Sequence, residues 1–422
     1  MPAEPTDDEL ELIRRSGVAL RVGRLSLSAG TGSYRVKASM QRVAHALGIE
    51  RHEAHVTLTE ITTTSHRGHS FRTEVTEVRR VGIDAARLDA LERLAQRLER
   101  GPGPVTVEQV HAELDTIADA RPLYPAMLNA LWAAIACGAF AVLNAGGAVE
   151  IVGAAVGAAV GQGARRALLH RGVNHFGVTM IAAAAASVAY LAFVELLVTT
   201  GATDVRHEAG YVSAVLFLVP GFALVTGALD LAKLDFSAGV ARLTYAVMLL
   251  TSAALALWAV SAVVGLAPDP IAPVALDPAV LLVLRLVASF LGVLGFALMF
   301  NSPWPMALGA AGVGMVANLV RLEMLDAGVV AQAAAAAVAL LVGLLTAVVA
   351  PRLGVPRITV SVPAVVIMVP GVTAYRAVYH LSEGDTTAAL AYGFEAGLVV
   401  VALSIGLAVA RMLTDRAWAF DR

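Results

Sequence analysis

Two copies of a short proline–glycine motif lie in the apolar part of the chain. Leu218-Val219-Pro220-Gly221 recurs as Met368-Val369-Pro370-Gly371, with every residue number raised by 150. Proline removes a backbone donor and clashes with the carbonyl one turn earlier, and glycine weakens a helix locally. Each copy therefore predicts a break within a helix. Carbonyl groups freed at such a break can bind a polar ligand if they line a protein cavity.

Ionisable residues follow the two motifs at matching distances. Ten residues after each proline stand Asp230 and His380, and fifteen residues after each stand Asp235 and Asp385. An ionisable side chain within a membrane segment is costly, and it usually marks a functional pathway or an internal ion pair. We predict that both motifs and these four residues belong to a substrate or ion pathway.

Further charges fall inside apolar stretches. Arg242 and Glu150 are added to the predicted pathway, Glu150 because the glycines around it let helices approach closely. For Asp230 and Arg242 the alternative is a structural ion pair that joins two spans. Other intramembrane charges are expected to form pairs or to reach water near a membrane face, and they are Glu195, Arg285 and Glu395.

Histidines near the amino terminus invite a metal-site interpretation. His52-x-x-His55 and His66-x-x-His69 each place two imidazoles close together, but neither pair lies in a predicted helix and no cysteine lies nearby. We expect solvated loop histidines and no metal. The sequence also lacks a nucleophile elbow and a phosphate-binding G-x-x-x-x-G-K-[ST] loop. It therefore predicts no enzyme, no cofactor and no direct coupling to ATP.

The composition of the chain indicates which class of protein structure positions these residues. The chain has 422 residues, of which 58% are hydrophobic and 15% charged, and its mean hydropathy is +0.72. A soluble globular protein carries about a quarter charged residues. The net charge of -2 gives no basic surface for nucleic acid, and the one cysteine, Cys137, excludes a disulfide framework. The sequence predicts a membrane protein with a soluble part.

The soluble part is predicted to be an α/β domain over residues 1–122, which hold six of the ten histidines. The acidic start has no apolar core of a signal peptide, so the domain is expected to stay in the cytoplasm. Hydrophobic periodicity and turn residues predict its elements. They are a helix over 33–47 that stops at Gly48, strands over 55–61 and 71–81, a helix over 84–99, and a helix to about 120 capped by Thr106-x-x-Gln109.

Ten hydrophobic stretches of near-spanning length follow, since a bilayer core needs about 20 helical residues. They lie near 125–144, 147–164, 175–198, 210–229, 237–266, 279–300, 304–320, 327–349, 358–379 and 389–412. The connectors on one side hold most of the basic residues, whereas those on the other side hold only Arg206 and Arg321. The positive-inside rule then places both termini on the cytoplasmic side of the cytoplasmic membrane.

The 150-residue offset carries spans three to five onto spans eight to ten. Residues 123–267 and 268–422 are therefore predicted to be repeats of five spans each. Because five is an odd number, the second repeat must lie upside down relative to the first. Inverted repeats with interrupted helices at matching positions are typical of secondary transporters. The predicted fold is a mainly α, polytopic membrane protein with two inverted five-span repeats and an amino-terminal α/β domain.

The sequence, through the motifs described above, resembles the threonine/serine exporter family. The first half is similar to the family's amino-terminal module, and the second half is similar to its shorter five-span module. The residues that carry the first likeness are Arg35-Val36, Leu218-Val219-Pro220-Gly221, Asp230 and Ser237-x-Gly239-x-x-Arg242. Those that carry the second run from Val369-Pro370-Gly371 through Tyr375-Arg376 to Gly384-Asp385.

The resemblance implies a secondary exporter of small polar metabolites, first of all threonine and serine, driven by a gradient of protons or another ion. Family relatives whose two modules are separate chains are linked to dicarboxylate export, so a succinate-like substrate is an alternative. An alternative of another class is a membrane-anchored sensory or hydrolytic module, which would need no duplicated helix breaks. The expected partners are the substrate, the coupling ion and the lipid bilayer, and a homo-oligomer is left open.

Overall fold

The computed structural model describes residues 7–79, 82–101, 105–203, 210–265 and 276–420. Over these ranges the chain is helical except for one small sheet and short connectors. Arg206 of the predicted connectors and the end of the strand predicted over 71–81 lie outside the described residues. The chain divides into two compact units. The first comprises Met1–Leu123 with Thr226–Leu243, and the second comprises Tyr124–Val225 with Thr244–Arg422.

The amino-terminal part of the first unit combines four helices with an antiparallel sheet in the order β1-β2-β3. Its elements are α1 (Asp7–Ser28), α2 (Ser33–Ala46), β1 (Arg51–Val56), β2 (Glu60–Arg67), β3 (Ser70–Glu77), α3 (Ala85–Arg100) and α4 (Val107–Asp119). Residues of all four helices form one apolar cluster, which includes Leu25, Val43, Leu94 and Leu114. A second cluster packs the sheet on α1 and α2 through Leu27, Met40 and Ile61.

The predicted helices of this domain are confirmed, together with the residues that end or begin them. Gly48 follows α2 with φ of +76°, the left-handed conformation that favours glycine. Asp84 caps α3 by accepting the backbone N–H of Arg87 at 3.1 Å. Thr106 and Gln109 form the predicted capping box at the start of α4.

The structure departs from the predicted elements of this domain at two places. No element was predicted before residue 33, yet the acidic start opens α1, a 22-residue helix that buries Leu12, Ala19 and Val22 among many polar residues. The strand predicted over 55–61 is a hairpin, because β1 ends at Val56 and β2 begins at Glu60. The alternation of apolar residues ran through the turn, which Thr57 closes by hydrogen bonds to Glu60.

Within the described ranges, ten helical elements and a short terminal helix follow α4, and two of the ten are broken. They are α5 (Ala126–Leu143), α6 (Ala148–His170), α7 (His175–Thr199), α8 (Tyr211–Val215, continued by a 3-10 turn at Leu216–Leu218), α9 (Gly221–Ala232), α10 (Phe236–Val264), α11 (Pro278–Met299), α12 (Trp304–Asp326), α13 (Ala331–Leu353), α14 (Arg357–Val366), α15 (Gly371–Ser382), α16 (Thr386–Thr414) and α17 (Arg416–Ala419). The two broken elements are α8 with α9 and α14 with α15.

Seven of the described helices are long and apolar enough to cross a membrane, or nine if each bent pair is one span. The predicted second span, α6, is not among them, because Glu150, Gln162 and its glycines and arginines lower its hydropathy. At 23 residues it is still about 34 Å long, which is enough to cross a bilayer core. The protein is a polytopic α-helical membrane protein with an amino-terminal α/β domain.

Three helices of the first half of the membrane part have counterparts of equal length in the second half. Both ends of each helix are shifted by the same number of residues, and this number is not the same for all three helices. The shift is 150 from α9 and α10 to α15 and α16, since 221 becomes 371 and 264 becomes 414. It is 156 from α6 to α12, since 148 becomes 304 and 170 becomes 326. The connectors agree in detail, because Ala145 and Asn301 are related by the second shift and both have φ of +62°. The local structure of the first half is thus repeated in the second.

Candidate functional site

Both predicted helix breaks are present, and they share one backbone geometry. The helix pairs on either side of Pro220 and Pro370 are bent by 51° and 49°. At each break the glycine N–H donates to the carbonyl two residues earlier, at 2.8 Å in both copies. Helical hydrogen bonding resumes one residue later, where the proline carbonyls accept from Leu224 and Ala374 at 3.0 Å. The duplicated sequence motif therefore produces a duplicated interruption of the helix.

The two breaks pack against each other reciprocally within the second unit. A methyl group on Gly221 would lie 2.8 Å from Cγ2 of Val366, and one on Gly371 would lie 2.7 Å from Cδ2 of Leu216. The 150-residue offset converts one contact into the other. Such an exchange of partners is typical of surfaces related by a two-fold axis. The breaks are therefore brought together, and glycine is needed at both for the close approach.

A second contact has the same symmetry. Phe140 on α5 and Phe296 on α11 are equivalent under the shift of 156 in residue number that relates α6 to α12. Their rings meet edge to face, with centroids 5.8 Å apart and an interplanar angle of 88°. Contact between a residue and its own counterpart is what a two-fold relation between the repeats predicts.

Two hydroxyl groups, one from each broken helix pair, meet in the second unit, and the sequence did not identify them as a site. The phenol oxygens of Tyr211 on α8 and Tyr375 on α15 are 2.7 Å apart, and both side chains are buried. Ser261 of α10 is buried in the same unit and donates to the carbonyl of Trp258 at 2.9 Å. Only Tyr375 carried a sequence signal, through the family resemblance. The tyrosine pair places donor and acceptor groups within an otherwise apolar interior.

Asp230 and Arg242 are brought together in the first unit. Oδ2 of Asp230 lies 3.1 Å from Nε of Arg242, and each side chain is 2% exposed. Arg242 also donates through Nη2 to the carbonyl of Thr31 at 2.8 Å. Asp230 accepts the backbone N–H of Ser33 at 2.9 Å. This buried pair therefore bonds to the turn between α1 and α2, and its contacts match the structural alternative more closely than a pathway.

Asp235 extends the same contact set. Its carboxylate accepts from the hydroxyl of Ser33 at 2.7 Å and pairs with the ammonium group of Lys37. Ser237, at the start of α10, lies 3.1 Å from Nε2 of His55 in β1. The α9–α10 turn (residues 230–242) is thus attached to α2 and β1 by side chains from both sides.

Asp385 and His380, the counterparts of Asp235 and Asp230 in the second half, have other surroundings. Asp385 is exposed and caps α16 by accepting the backbone N–H of Ala388 at 3.0 Å. The imidazole of His380 stacks on Tyr392, with ring centroids 5.2 Å apart. The two positions repeat those of Asp235 and Asp230 in sequence, but their chemical contacts differ.

Glu150 is buried in the first turn of α6, where a carboxylate is favoured by the helix dipole. The glycines around it permit the predicted close packing. A methyl group on Gly153 would lie 2.7 Å from the ring of Tyr190, and one on Gly157 would lie 2.6 Å from the carbonyl of Ala186. Small residues on α6 therefore let α7 approach closely, as is common in membrane helix pairs.

Arg285 forms the expected pair, with Glu323 and Asp326 as partners. Of the four histidines predicted to be solvated loop residues, only His69 lies in an exposed turn, because β1 contains His52 and His55 and β2 contains His66. His52 is 7% exposed and bonds to Ser65 at 2.9 Å. Burial lowers the pKa of His52 to about 4. Among the described residues no group of three or more His, Cys, Asp or Glu side chains is placed to hold a metal ion.

Two family models match the chain and together cover most of it. Residues 17–264 match the model described as "Putative threonine/serine exporter", and residues 285–413 match "Threonine/Serine exporter". A relative from Mycobacterium tuberculosis (strain ATCC 25618 / H37Rv), named "Probable threonine/serine exporter", is 26% identical over 97% of this chain and 78% of its own length. No solved structure gives a significant match. Because the first model alone covers more than half of the sequence, this chain belongs to the threonine/serine exporter family.

Proposed function

We propose that this protein is a secondary exporter that carries threonine and serine out of the cell across the cytoplasmic membrane, driven by an ion gradient, with protons as the first candidate. Membership of the exporter family and the apolar helices support export of a small polar substrate through a membrane. The positive-inside pattern of the sequence supports termini that both lie in the cytoplasm.

The observation that carries the proposal is the reciprocal packing of the two helix breaks. Gly221 contacts Val366 while Gly371 contacts Leu216, and each contact is the other after the 150-residue shift. A two-fold relation between repeats of five elements requires an axis in the membrane plane, because the second repeat must run in the opposite sense. Secondary transporters with this architecture bind substrate near the midplane, between their broken helices.

The chemistry available at the breaks suits a zwitterion. An interrupted helix leaves backbone carbonyls that can accept hydrogen bonds from an ammonium group. The hydroxyls of Tyr211 and Tyr375 can donate as well as accept, so they can serve either end of an amino acid. We assign Pro220, Gly221, Pro370 and Gly371 to the walls of the substrate pathway on this ground.

The ionisable residues divide into two groups under this proposal. Asp230 forms an ion pair with Arg242 and accepts the backbone N–H of Ser33. Asp235 accepts the hydroxyl of Ser33 and forms an ion pair with Lys37. These contacts support a role in attaching the amino-terminal domain to the α9–α10 turn. Glu150, His380 and Asp385 stay in the proposed pathway as candidates to carry the coupling proton.

Efflux from proteoliposomes tests the proposal. Vesicles that contain the full chain are loaded with radiolabelled threonine, serine or succinate, and an inward proton gradient is imposed. We expect threonine and serine efflux that is accelerated by the gradient and abolished when a protonophore collapses it. Efflux of succinate alone would assign the dicarboxylate alternative. Efflux no faster than from protein-free vesicles, for all three compounds, would refute the exporter.

A further inference from the structure

Two arginines occupy equivalent positions in the two halves of the membrane part. Arg165 on α6 and Arg321 on α12 are related by the shift of 156 in residue number that also relates the bounds of these helices. Each arginine follows a buried amide by three residues, Gln162 in α6 and Asn318 in α12. The equivalence concerns chemistry as well as position, because a carboxamide followed one turn later by a guanidinium is repeated.

The amides are fixed by the same type of hydrogen bond in both copies. Nε2 of Gln162 donates to Oδ1 of Asn129 on α5 at 2.6 Å. Nδ2 of Asn318 donates to the hydroxyl of Ser289 on α11 at 2.8 Å. The amide oxygens then accept from the arginines, at 3.5 Å in the first copy and 3.0 Å in the second. A polar residue on the preceding helix therefore orients each guanidinium through an amide.

Both arginines lie on the interior face of their helices. On α6 the buried positions recur every three or four residues, through Ala154, Ala158 and Gln162, and Arg165 continues this series. On α12 the series through Gly314 and Asn318 leads to Arg321 in the same way. An arginine that merely reached for the lipid–water boundary would lie on the lipid-facing side of its helix. These two side chains are only partly exposed and follow the buried face.

Neither guanidinium is neutralised by the described parts of the chain. Arg242 pairs with Asp230, and Arg285 pairs with Glu323. Among the described residues, by contrast, no carboxylate lies within ion-pairing distance of Arg165 or Arg321. One hydrogen bond to an amide leaves most of the five N–H donors of a guanidinium available. A cation without a carboxylate partner on the interior face of a membrane helix by default marks a substrate or ion pathway, and its free donors suit an anionic group.

We infer that Arg165 and Arg321 bind the carboxylate of the transported substrate, one at each mouth of the pathway. The inference rests on the proposed function. A guanidinium binds a carboxylate through two parallel hydrogen bonds, and threonine, serine and a dicarboxylate all offer that group. Because inverted repeats place equivalent helix ends at opposite membrane faces, the two arginines meet the substrate at opposite sides.

Sided transport kinetics with Arg165→Lys and Arg321→Lys test the inference. Lysine keeps the positive charge but loses the two-pronged geometry, so electrostatic attraction alone would leave KM unchanged. We expect Arg165→Lys to raise KM about tenfold or more for substrate presented at one face, and Arg321→Lys to do so at the opposite face. Arg166→Lys, on the adjacent residue of α6, is the matched control and should leave both KM values unchanged.

A competitor series gives a second readout that does not depend on the folded yield. Threoninol, which lacks the carboxylate, should compete with threonine at least tenfold more weakly than serine does in the unaltered protein. In Arg165→Gln and Arg321→Gln this preference should fall toward unity at the affected face. Unchanged KM values in both lysine variants, or a rise at the same face in both, would overturn the inference. Absence of threonine, serine and succinate transport in the unaltered protein would instead count against the proposed function.

Discussion

The carboxylate of Asp230 lies 3.1 Å from the guanidinium of Arg242, and both side chains are almost fully buried. The pair does not stand alone, because Arg242 donates to Thr31 and Asp230 accepts from Ser33. A methyl group on Gly32 would lie 2.8 Å from Oδ1 of Asp230, so the turn between α1 and α2 approaches as closely as glycine permits. The pair thus joins segments that are far apart in sequence.

Removing one partner of this pair should destabilise the first unit strongly. Asp230→Asn leaves the buried charge of Arg242 uncompensated, which typically lowers the free energy of unfolding by about 3–5 kcal/mol. Denaturant unfolding of the detergent-solubilised chain measures the effect. Asp235→Asn is the control, because Asp235 is more exposed and its loss should lower the free energy of unfolding by only about 1 kcal/mol.

The same variant separates the two roles of Asp230. The attachment role predicts that efflux per folded molecule of Asp230→Asn stays within about twofold of the unaltered protein. The pathway role predicts a stable, inserted protein in which gradient-driven efflux is lost. Normal stability together with lost efflux would contradict the attachment role and assign Asp230 to the substrate or ion pathway.

The reciprocal contact predicts energetic coupling between the two breaks. Gly221→Ala places a methyl group 2.8 Å from Val366, and overpacking of this kind lowers stability by about 1–3 kcal/mol. Adding Val366→Ala should restore most of the loss. Gly371→Ala with Leu216→Ala should behave likewise. A double-mutant cycle on melting temperature in detergent measures the coupling, and additive effects in both cycles would contradict the contact.

The prolines at the breaks should matter for transport more than for stability. Pro220→Ala and Pro370→Ala replace the residue least compatible with a helix, which by propensity alone favours the helix by about 3 kcal/mol. We expect unchanged or raised melting temperatures and efflux reduced at least tenfold, because a continuous helix offers no carbonyls to the substrate. Pro278→Ala, at the first position of α11 where proline fits, is the control. Full efflux in both break variants would show that the breaks serve packing only.

Low pH should destabilise the amino-terminal domain through His52. Burial lowers its pKa from 6.5 to about 4, so the unfolded chain binds the proton more readily than the folded chain does. The contribution of the neutral imidazole is therefore complete above pH 6.5 and is lost as the pH falls from 6.5 to 4. Protonation would also charge Nε2, which has no hydrogen-bond partner among the described residues.

Denaturant unfolding at pH 7 and pH 5 measures this effect. We expect the unaltered protein to lose roughly 1–2 kcal/mol more than His52→Gln between the two values. His69→Gln, at the hairpin turn before β3, is the matched control and should retain the full pH dependence. Equal losses in the unaltered protein and in His52→Gln would contradict the assignment.

Local signals predicted local structure well in this chain. Thr106 with Gln109 and Gly48 each marked a helix end, because a cap depends on neighbours within four residues. The same reasoning missed α1, whose apolar positions are diluted by charges, and it read the β1–β2 hairpin as one strand because alternation continued through Thr57. Periodicity alone does not distinguish a continuous strand from a turn whose residues keep the alternation of apolar and polar side chains.

The candidate site also contains features that the sequence predicts and features that it does not predict. The proline–glycine breaks were predictable, since their cause lies in the residues themselves. The bond between Asp230 and Ser33 was not predictable, because nothing in either segment specifies a partner so distant in sequence. Arg165 and Arg321 are equivalent residues of the two repeats, but the 150-residue offset does not align them with each other. Their helices are related by a shift of 156 instead, and the chain between α7 and α9 absorbs the difference.

The topology of the two halves is open to a direct test with introduced cysteines. Arg171 and Ala327 are exposed positions that directly follow α6 and α12, so they are equivalent in the two repeats. Gly172 and Gly328 come next, with φ of +74° and +84°, so the two turns have the same backbone shape and differences in local accessibility should be small. Cys137, the one native cysteine, is buried and is first replaced by alanine.

Labelling from each side of the membrane then distinguishes inverted from parallel repeats. In an inverted repeat, equivalent helix ends lie at opposite faces of the membrane. We therefore expect an impermeant maleimide to label Arg171→Cys only from the cytoplasmic face and Ala327→Cys only from the opposite face. A parallel arrangement predicts labelling of both cysteines from one side, and that result would remove the basis for a pathway between two inverted broken helices.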